Sequence, residues 1–176
     1  MTQKPTPHSD DPAVTAAMLA AIVESSNDAI LAKDCDALVT VWNPACERLY
    51  GYTAEEMIGQ SIARIIPRDR ADELAALLER LGRGERIEHY QTERVHKDGH
   101  RLAVSISIAP IADASGEIVG AATIGRDITQ RIRVETAQRF LAKVNPVLVA
   151  SLDVEAIVTD VAHLVVPTLA DSCAVL

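Results

Sequence analysis

Residues able to bind a metal or to carry out acid–base catalysis are few and scattered in this sequence. His96 and His100 flank the dipeptide Asp98-Gly99, so their imidazoles come close if the segment forms a tight turn. Two histidines supply only two of the three or four protein ligands of a zinc site. We therefore interpret this segment as a solvent-exposed hairpin that holds no metal.

Other reactive side chains also lack the neighbours that catalysis requires. The adjacent carboxylates Glu55 and Glu56 stand at a predicted helix start, where capping and the helix dipole account for them. Cys35, Cys46 and Cys173 are odd in number and widely spaced, which favours free, buried or half-buried thiols over a disulfide framework. The sequence contains no glycine-rich phosphate loop, paired metal motif or nucleophile elbow. We predict that the chain has no catalytic residues and is not an enzyme in itself.

The composition argues against several classes of partner. The chain has 176 residues, of which 48% are apolar, and this is enough for a packed core. Its net charge of -8 argues against a nucleic-acid partner, and its 3% of aromatic residues offer few platforms for stacking bases or a large planar cofactor. No apolar run approaches the roughly 20 residues of a membrane span. We therefore expect a cytoplasmic protein without a membrane partner.

Two short helices in succession are predicted within residues 39–59. Asn43 is a suitable N-cap for the first helix, and Gly51 suits the left-handed residue that ends it. Thr53 and Glu56 have the spacing of a capping box, which starts the second helix. These signals are local and do not depend on the rest of the fold.

Strands and longer helices account for the remaining elements. A helix is expected over residues 14–23 and an amphipathic helix over 69–81, with strands at 29–32, 37–42, 86–96, 102–109 and 117–128. Asp98-Gly99 joins two of these strands as a two-residue hairpin turn. The order of elements predicts an α+β fold in which a five-stranded antiparallel sheet carries short helices on one face.

This part of the chain resembles the PAS sensor domain. The residues that match the central pattern of the family are Trp42, Asn43, Ala45, Glu47, Leu49, Gly51, Tyr52, Glu55, Glu56, Ile58 and Gly59. The hairpin at 96–101 and the strand end at 125–129 match as well. The resemblance covers about residues 16–130. It implies the PAS fold and a sensory and dimerisation role in signal transduction, as in two-component systems with a histidine kinase.

The resemblance also implies a ligand pocket between the sheet and the helices. We expect the pocket to be lined by Leu49, Leu74, Leu78, Val104, Ile106 and Ile124. A dry hydrophobic core is the alternative interpretation of the same residues.

Each cofactor known from the family needs a particular residue. Blue-light flavin PAS domains use a cysteine at the place matched by residues 61–63, where this sequence has none. Haem PAS domains use a histidine on the helix matched by 69–81, which has none either. These differences argue against a covalent flavin adduct and against haem. No cofactor is expected, while non-covalent flavin or a small organic ligand stays open.

Signal coupling is assigned by the resemblance to Asp127, Ile128 and Thr129, at the junction between the last strand and the next helix. That helix, residues 130–150, carries an apolar stripe at spacings of three and four, formed by Val134, Ala137, Leu141 and Val144. We expect the stripe to form a homodimer. Packing of the helix on its own sheet is the alternative.

Four segments are therefore expected along the chain. They are a disordered tail at 1–13, a PAS domain at 14–129, a linker helix at 130–150 and a final segment at 151–176, which resembles the truncated start of a GAF domain. The expected function is a sensory module that relays the state of a ligand or partner to an absent output domain of a histidine kinase or phosphatase regulator. A ligand-free protein-interaction or dimerisation domain is the alternative.

Overall fold

The computed structural model describes residues 11–150, with side chains described for residues 11–142. Its elements in chain order are α1 (Pro12–Ser25), β1 (Ala29–Asp34), β2 (Val39–Trp42), α2 (Pro44–Tyr50), α3 (Ala54–Met57), α4 (Ala71–Gly82), β3 (Ile87–Val95), β4 (Arg101–Ala112), β5 (Ile118–Asp127) and α5 (Thr129–Ala150). Two short 3₁₀ helices, Ile62–Ile65 and Arg68–Arg70, precede α4. Residues through Ile128 form one compact unit, and Thr129 begins a second.

The five strands form a single sheet in the order β2-β1-β5-β4-β3, and all neighbouring strands are antiparallel. This arrangement confirms the predicted α+β fold. Burial alternates along the strands, so that one face of the sheet carries most of the buried side chains. The core residues on β4 are Leu102, Val104, Ile106 and Ile108, which pack in one cluster with residues of α2, α3 and α4.

The two short helices begin and end as the sequence predicts. The Asn43 side chain accepts a hydrogen bond from the Cys46 N–H and caps α2, while Gly51 ends it with a φ of 77°. The Thr53–Glu56 capping box is present at α3. A β-carbon at Gly51 would also collide with the imidazole of His96, so both backbone conformation and space require glycine there.

The N-terminal helix differs from its prediction in its start. Asp11 caps α1, which therefore begins at Pro12 rather than at residue 14, and the described part of the predicted tail 1–13 is helical from residue 12. Residues 1–10 of that tail lie outside the described residues. No residue of α1 is buried, and its exposed large apolar residues are Val14, Met18, Leu19 and Ile22.

The amphipathic helix α4 gives a direct test of the core. Leu77 is buried, whereas Leu74 is half-buried against the same core cluster. We expect Leu77→Ala to lower the free energy of unfolding by about 2–3 kcal/mol, and Leu74→Ala to lower it by roughly half as much. Urea unfolding followed by circular dichroism measures both values. A larger loss at Leu74 than at Leu77 would mean that the helix is rotated relative to the sheet.

Candidate functional site

The residues predicted to line a pocket do not all share one side of the sheet. Val104 and Ile106 are buried on the inner face, and Leu74 and Leu78 of α4 are half-buried against the same core. Ile124 is the exception, because it is 49% exposed on the opposite face of β5. Side chains alternate between the two faces along a strand, and on β5 the neighbouring residue Thr123 points inward. The prediction that Ile124 lines the pocket is therefore wrong.

The interior between the sheet and the helices contains a small cavity of about 30 Å³. Its lining comes from β1, α2, the 3₁₀ segment, α4 and the inner faces of β3, β4 and β5: Leu31, Lys33, Tyr50, Ile62, Ile66, Leu74, Leu77, Arg94, Ile106, Ile108 and Thr123. A void of this size has room for a water molecule or a small polar group. It is far below the roughly 300 Å³ or more of an ordinary ligand pocket.

Leu49 lies apart from this interior cavity. It packs against the core and also lines a surface cleft of about 340 Å³, formed with residues of β1, α2 and the end of β5 that include the coupling residue Asp127. The six predicted pocket residues are therefore divided among the interior, this cleft and the outer face of the sheet.

A buried ion pair crosses from α4 to β3 beside the interior cavity. Arg94 Nη2 lies 2.9 Å from Glu73 Oε1, and the two side chains are only 6% and 8% exposed. Arg94 is close enough to Glu73 Oε1 for an ion pair, but its N–H groups are not aligned for a hydrogen bond to that oxygen. The other oxygen, Glu73 Oε2, accepts a hydrogen bond of 2.5 Å from the Thr92 hydroxyl. Thr92 and Arg94 are polar residues of the predicted strand 86–96, yet both are buried, and the sequence pattern did not identify them as part of a site.

Lys33 of β1 supplies a second buried cation at the cavity. Only 4% of the residue is exposed. Removal from water, together with the smaller effect of the positive charge of Arg94, lowers the pKa of Lys33 to about 8. The signal that could have identified Lys33 from the sequence is its place at a core-facing position of a strand whose residues alternate between the two faces.

The described cysteines are both free thiols. Cys46 is buried on α2, and burial raises the pKa of its thiol to about 12, so it stays protonated and packs as an apolar residue. Cys35 is exposed, and Cys173 lies outside the described residues.

The hairpin turn brings three potential metal ligands together: His96, Asp98 and His100. The two imidazoles stack with their centres 4.5 Å apart, and Asp98 Oδ1 lies 2.6 Å from His100 Nδ1. The His100 backbone N–H and imidazole lower the pKa of Asp98 to about 2. Because Nδ1 of His96 accepts the Asp98 N–H, hydrogen bonding within the turn accounts for the grouping.

The predicted coupling residues lie in sequence across the boundary between the two compact units. Asp127 is the last residue of β5, and Ile128 is buried and donates its N–H to the Ala103 carbonyl at 2.9 Å. Thr129 is the first residue of α5.

Three of the four residues of the predicted stripe on α5 have described side chains. Val134, Ala137 and Leu141 are exposed, and Leu141 is 61% exposed. The side chain of Val144 lies outside the described residues, as does the whole segment 151–176 with its predicted GAF start.

These features define an α+β domain whose interior holds buried charged side chains beside a small cavity. The family model described as PAS fold matches residues 23–133, more than half of the 176 residues. The chain therefore belongs to the PAS family, as its resemblance implied.

Comparisons with individual proteins agree with this assignment. The chain is 31% identical over 120 residues to the signal transduction histidine-protein kinase AtoS of Escherichia coli, and 29% identical over 153 residues to the oxygen sensor protein DosP of the same organism. These matches include 68% and 85% of this chain but only 19% and 17% of the two relatives. The chain thus spans less than a fifth of the length of either.

Among solved structures, the PAS domain of a protein from Colwellia psychrerythraea is similar in fold. It superposes with a TM-score of 0.61 at 27% sequence identity, covering 66% of this chain and 98% of that one. Within residues 11–150, no helix is both long and apolar enough to cross a bilayer.

Proposed function

We propose that this chain is a sensory module that detects a small ligand or a partner and relays its state through α5 to an output domain. The observation that carries this proposal is the charged interior of a PAS domain, where Lys33 and Arg94 are buried and line a cavity together with Thr123. The buried hydroxyl of Thr123 has no hydrogen-bond partner among the described residues. Two buried cations are costly in a domain whose interior serves packing alone. The signal transduction histidine-protein kinase and the oxygen sensor protein among its relatives support a signalling role. A cytoplasmic location is part of the proposal.

The proposed relay passes through Asp127, Ile128 and Thr129. Ile128 is anchored to β4 by its N–H and by burial, so a movement of β5 or β4 is transmitted to the backbone of the next residue. The backbone changes from strand to helix here, because β5 ends at Asp127 and α5 begins at Thr129. A ligand shifts the equilibrium between two conformations of this junction only if it binds one of them more tightly than the other.

The alternative is a ligand-free interaction or dimerisation domain. It is favoured if the apolar residues predicted to line a pocket form a dry hydrophobic core instead. Native mass spectrometry of the purified chain distinguishes the two. A mass increment from a bound small molecule, lost on denaturation, supports the sensory function. A bare chain that also fails to respond to any added metabolite supports the interaction domain.

The dimer prediction concerns the exposed stripe on α5. We expect the double change Val134→Asp and Leu141→Asp to weaken self-association at least about 100-fold, because charge replaces apolar contacts at the centre of the predicted interface. Sedimentation velocity measures the effect, and circular dichroism reports whether the sheet stays folded.

A matched control places the same two charges outside the stripe, as Gln138→Asp with Ala142→Asp, at exposed positions. This control should remain dimeric. A stripe variant that stays dimeric would place the interface elsewhere, and a monomeric wild type at high micromolar concentration would remove α5 dimerisation from the mechanism.

A further inference from the structure

We propose that the interior of the domain binds a small organic carboxylate, held by Lys33 and Thr123 next to the Arg94–Glu73 ion pair. The inference rests on the proposed sensory function and names the chemical class of its signal.

The buried charges at the cavity do not balance. Arg94 is neutralised by Glu73, whose second oxygen is occupied by Thr92. Lys33 is equally buried, yet among the side chains described for residues 11–142 no carboxylate lies within ion-pair distance of it. Lys33 thus brings to the cavity and its neighbouring cleft a positive charge that no described carboxylate neutralises. The lowered pKa of Lys33 is the expected consequence, and a bound anion removes the cost of that charge.

The hydroxyl of Thr123 provides the second contact. Its Oγ1 atom is buried and has no hydrogen-bond partner in the described structure. Thr123 lies on β5 opposite Leu31 of β1 and Ile108 of β4, so it faces the cavity from the centre of the sheet. Buried hydroxyls are normally paired, and a carboxylate oxygen is a strong acceptor for one.

The available space selects a small ligand with a short apolar tail. Lys33 lines the interior cavity of about 30 Å³ and also a neighbouring cleft of about 110 Å³. The apolar part of that cleft is formed by Leu78, Leu81, Ile118 and Ala121, and its polar residues besides Lys33 are Asp34 and Cys35. Because Lys33 lines both spaces, we assign the carboxylate head to the cavity, beside Lys33, Arg94 and Thr123, and a chain of a few carbons to the cleft. Flavin and haem need several times this volume.

The experiment measures thermal unfolding of the complete chain with sodium butyrate, with the neutral isostere butyramide and with sodium chloride at equal ionic strength. We expect butyrate to raise the midpoint temperature saturably, by about 5 °C at a tenfold excess over its dissociation constant. Butyramide and chloride should leave the midpoint unchanged. An equal response to butyramide, or no saturable response to butyrate, overturns the carboxylate assignment and leaves ordered water as the occupant of the cavity.

Variants locate the effect at the cavity. Lys33→Met should raise the midpoint of the ligand-free chain, because a buried charge is removed, and should abolish the butyrate shift. Thr123→Val keeps the shape of the side chain and should weaken butyrate binding about tenfold, which answers the question even if Lys33→Met fails to fold. Lys97→Met, at an exposed lysine of the hairpin, is the control and should respond as wild type.

Two outcomes separate this inference from the function on which it rests. Unchanged butyrate binding in both cavity variants overturns the site. A wild-type chain that ignores butyrate, but that carries a bound small molecule of another class in native mass spectrometry, overturns the carboxylate class and leaves the sensory module standing.

Discussion

Replacing Arg94 with alanine is expected to lower the free energy of unfolding by about 3–5 kcal/mol. The change removes the partner of Glu73, whose side chain is 8% exposed and cannot recover its charge interactions from water. It also removes the donor that bridges to the Thr92 hydroxyl at 3.1 Å and the Glu93 carbonyl at 2.7 Å. Urea unfolding at neutral pH, with the slope checked against wild type, measures the loss.

An exposed arginine serves as the control for Arg94. Arg101 makes ion pairs with Asp69 and Glu93, but its side chain is 49% exposed. Because solvent screens such pairs, Arg101→Ala should cost less than about 1 kcal/mol despite having more ionic partners than Arg94. Equal losses at the two positions would mean that the Arg94–Glu73 pair is hydrated in solution.

A double variant separates two quantities: the net contribution of the ion pair to the free energy of unfolding, and the loss caused by leaving one charge buried without its partner. Replacing Arg94 with Met and Glu73 with Leu removes both charges and keeps apolar volume at each site. We expect this chain to recover most of the stability lost in Arg94→Ala. A double variant as unstable as Arg94→Ala would show that the pair itself, with its hydrogen bond to Thr92, stabilises the fold.

Signals confined to a few residues could be predicted from the sequence. The N-cap at Asn43, the left-handed end at Gly51 and the capping box at Thr53 depend on backbone groups within one helical turn, and all three are present in the structure. The number and antiparallel pairing of the strands followed from their order and from one hairpin turn.

The interior site depended on information that the sequence pattern does not carry. Ile124 was assigned inward because it is apolar, yet the register of β5 points Thr123 inward and Ile124 outward. Glu73 and Arg94 are far apart in the chain and meet only when α4 packs on β3. Their partnership follows from tertiary packing, which the sequence pattern does not show, and it places polar residues in the buried part of the candidate site.

Asn43 is the position of the second large effect, because it connects three elements through a buried side chain. Its Oδ1 accepts the N–H groups of Ile30 and Cys46, both at 3.0 Å. Its Nδ2 donates to the carbonyls of Val23 and Asp28 at 2.9 and 3.1 Å. All four hydrogen-bonding positions of the amide are thus used, and they join the end of α1 to β1 and to the start of α2.

We expect Asn43→Ala to lower the free energy of unfolding by about 3–4 kcal/mol, since several backbone groups lose their partner and the α2 cap is removed at the same time. Ser61→Ala, which removes an exposed cap on the 3₁₀ helix, is the control and should cost less than about 1 kcal/mol. Asn43→Asp keeps the acceptor but removes the donors to Val23 and Asp28. In that variant, faster amide hydrogen exchange in α1 with retained protection in β4 would show that this amide holds α1 to the domain. Unchanged exchange in α1 would mean that other contacts hold it.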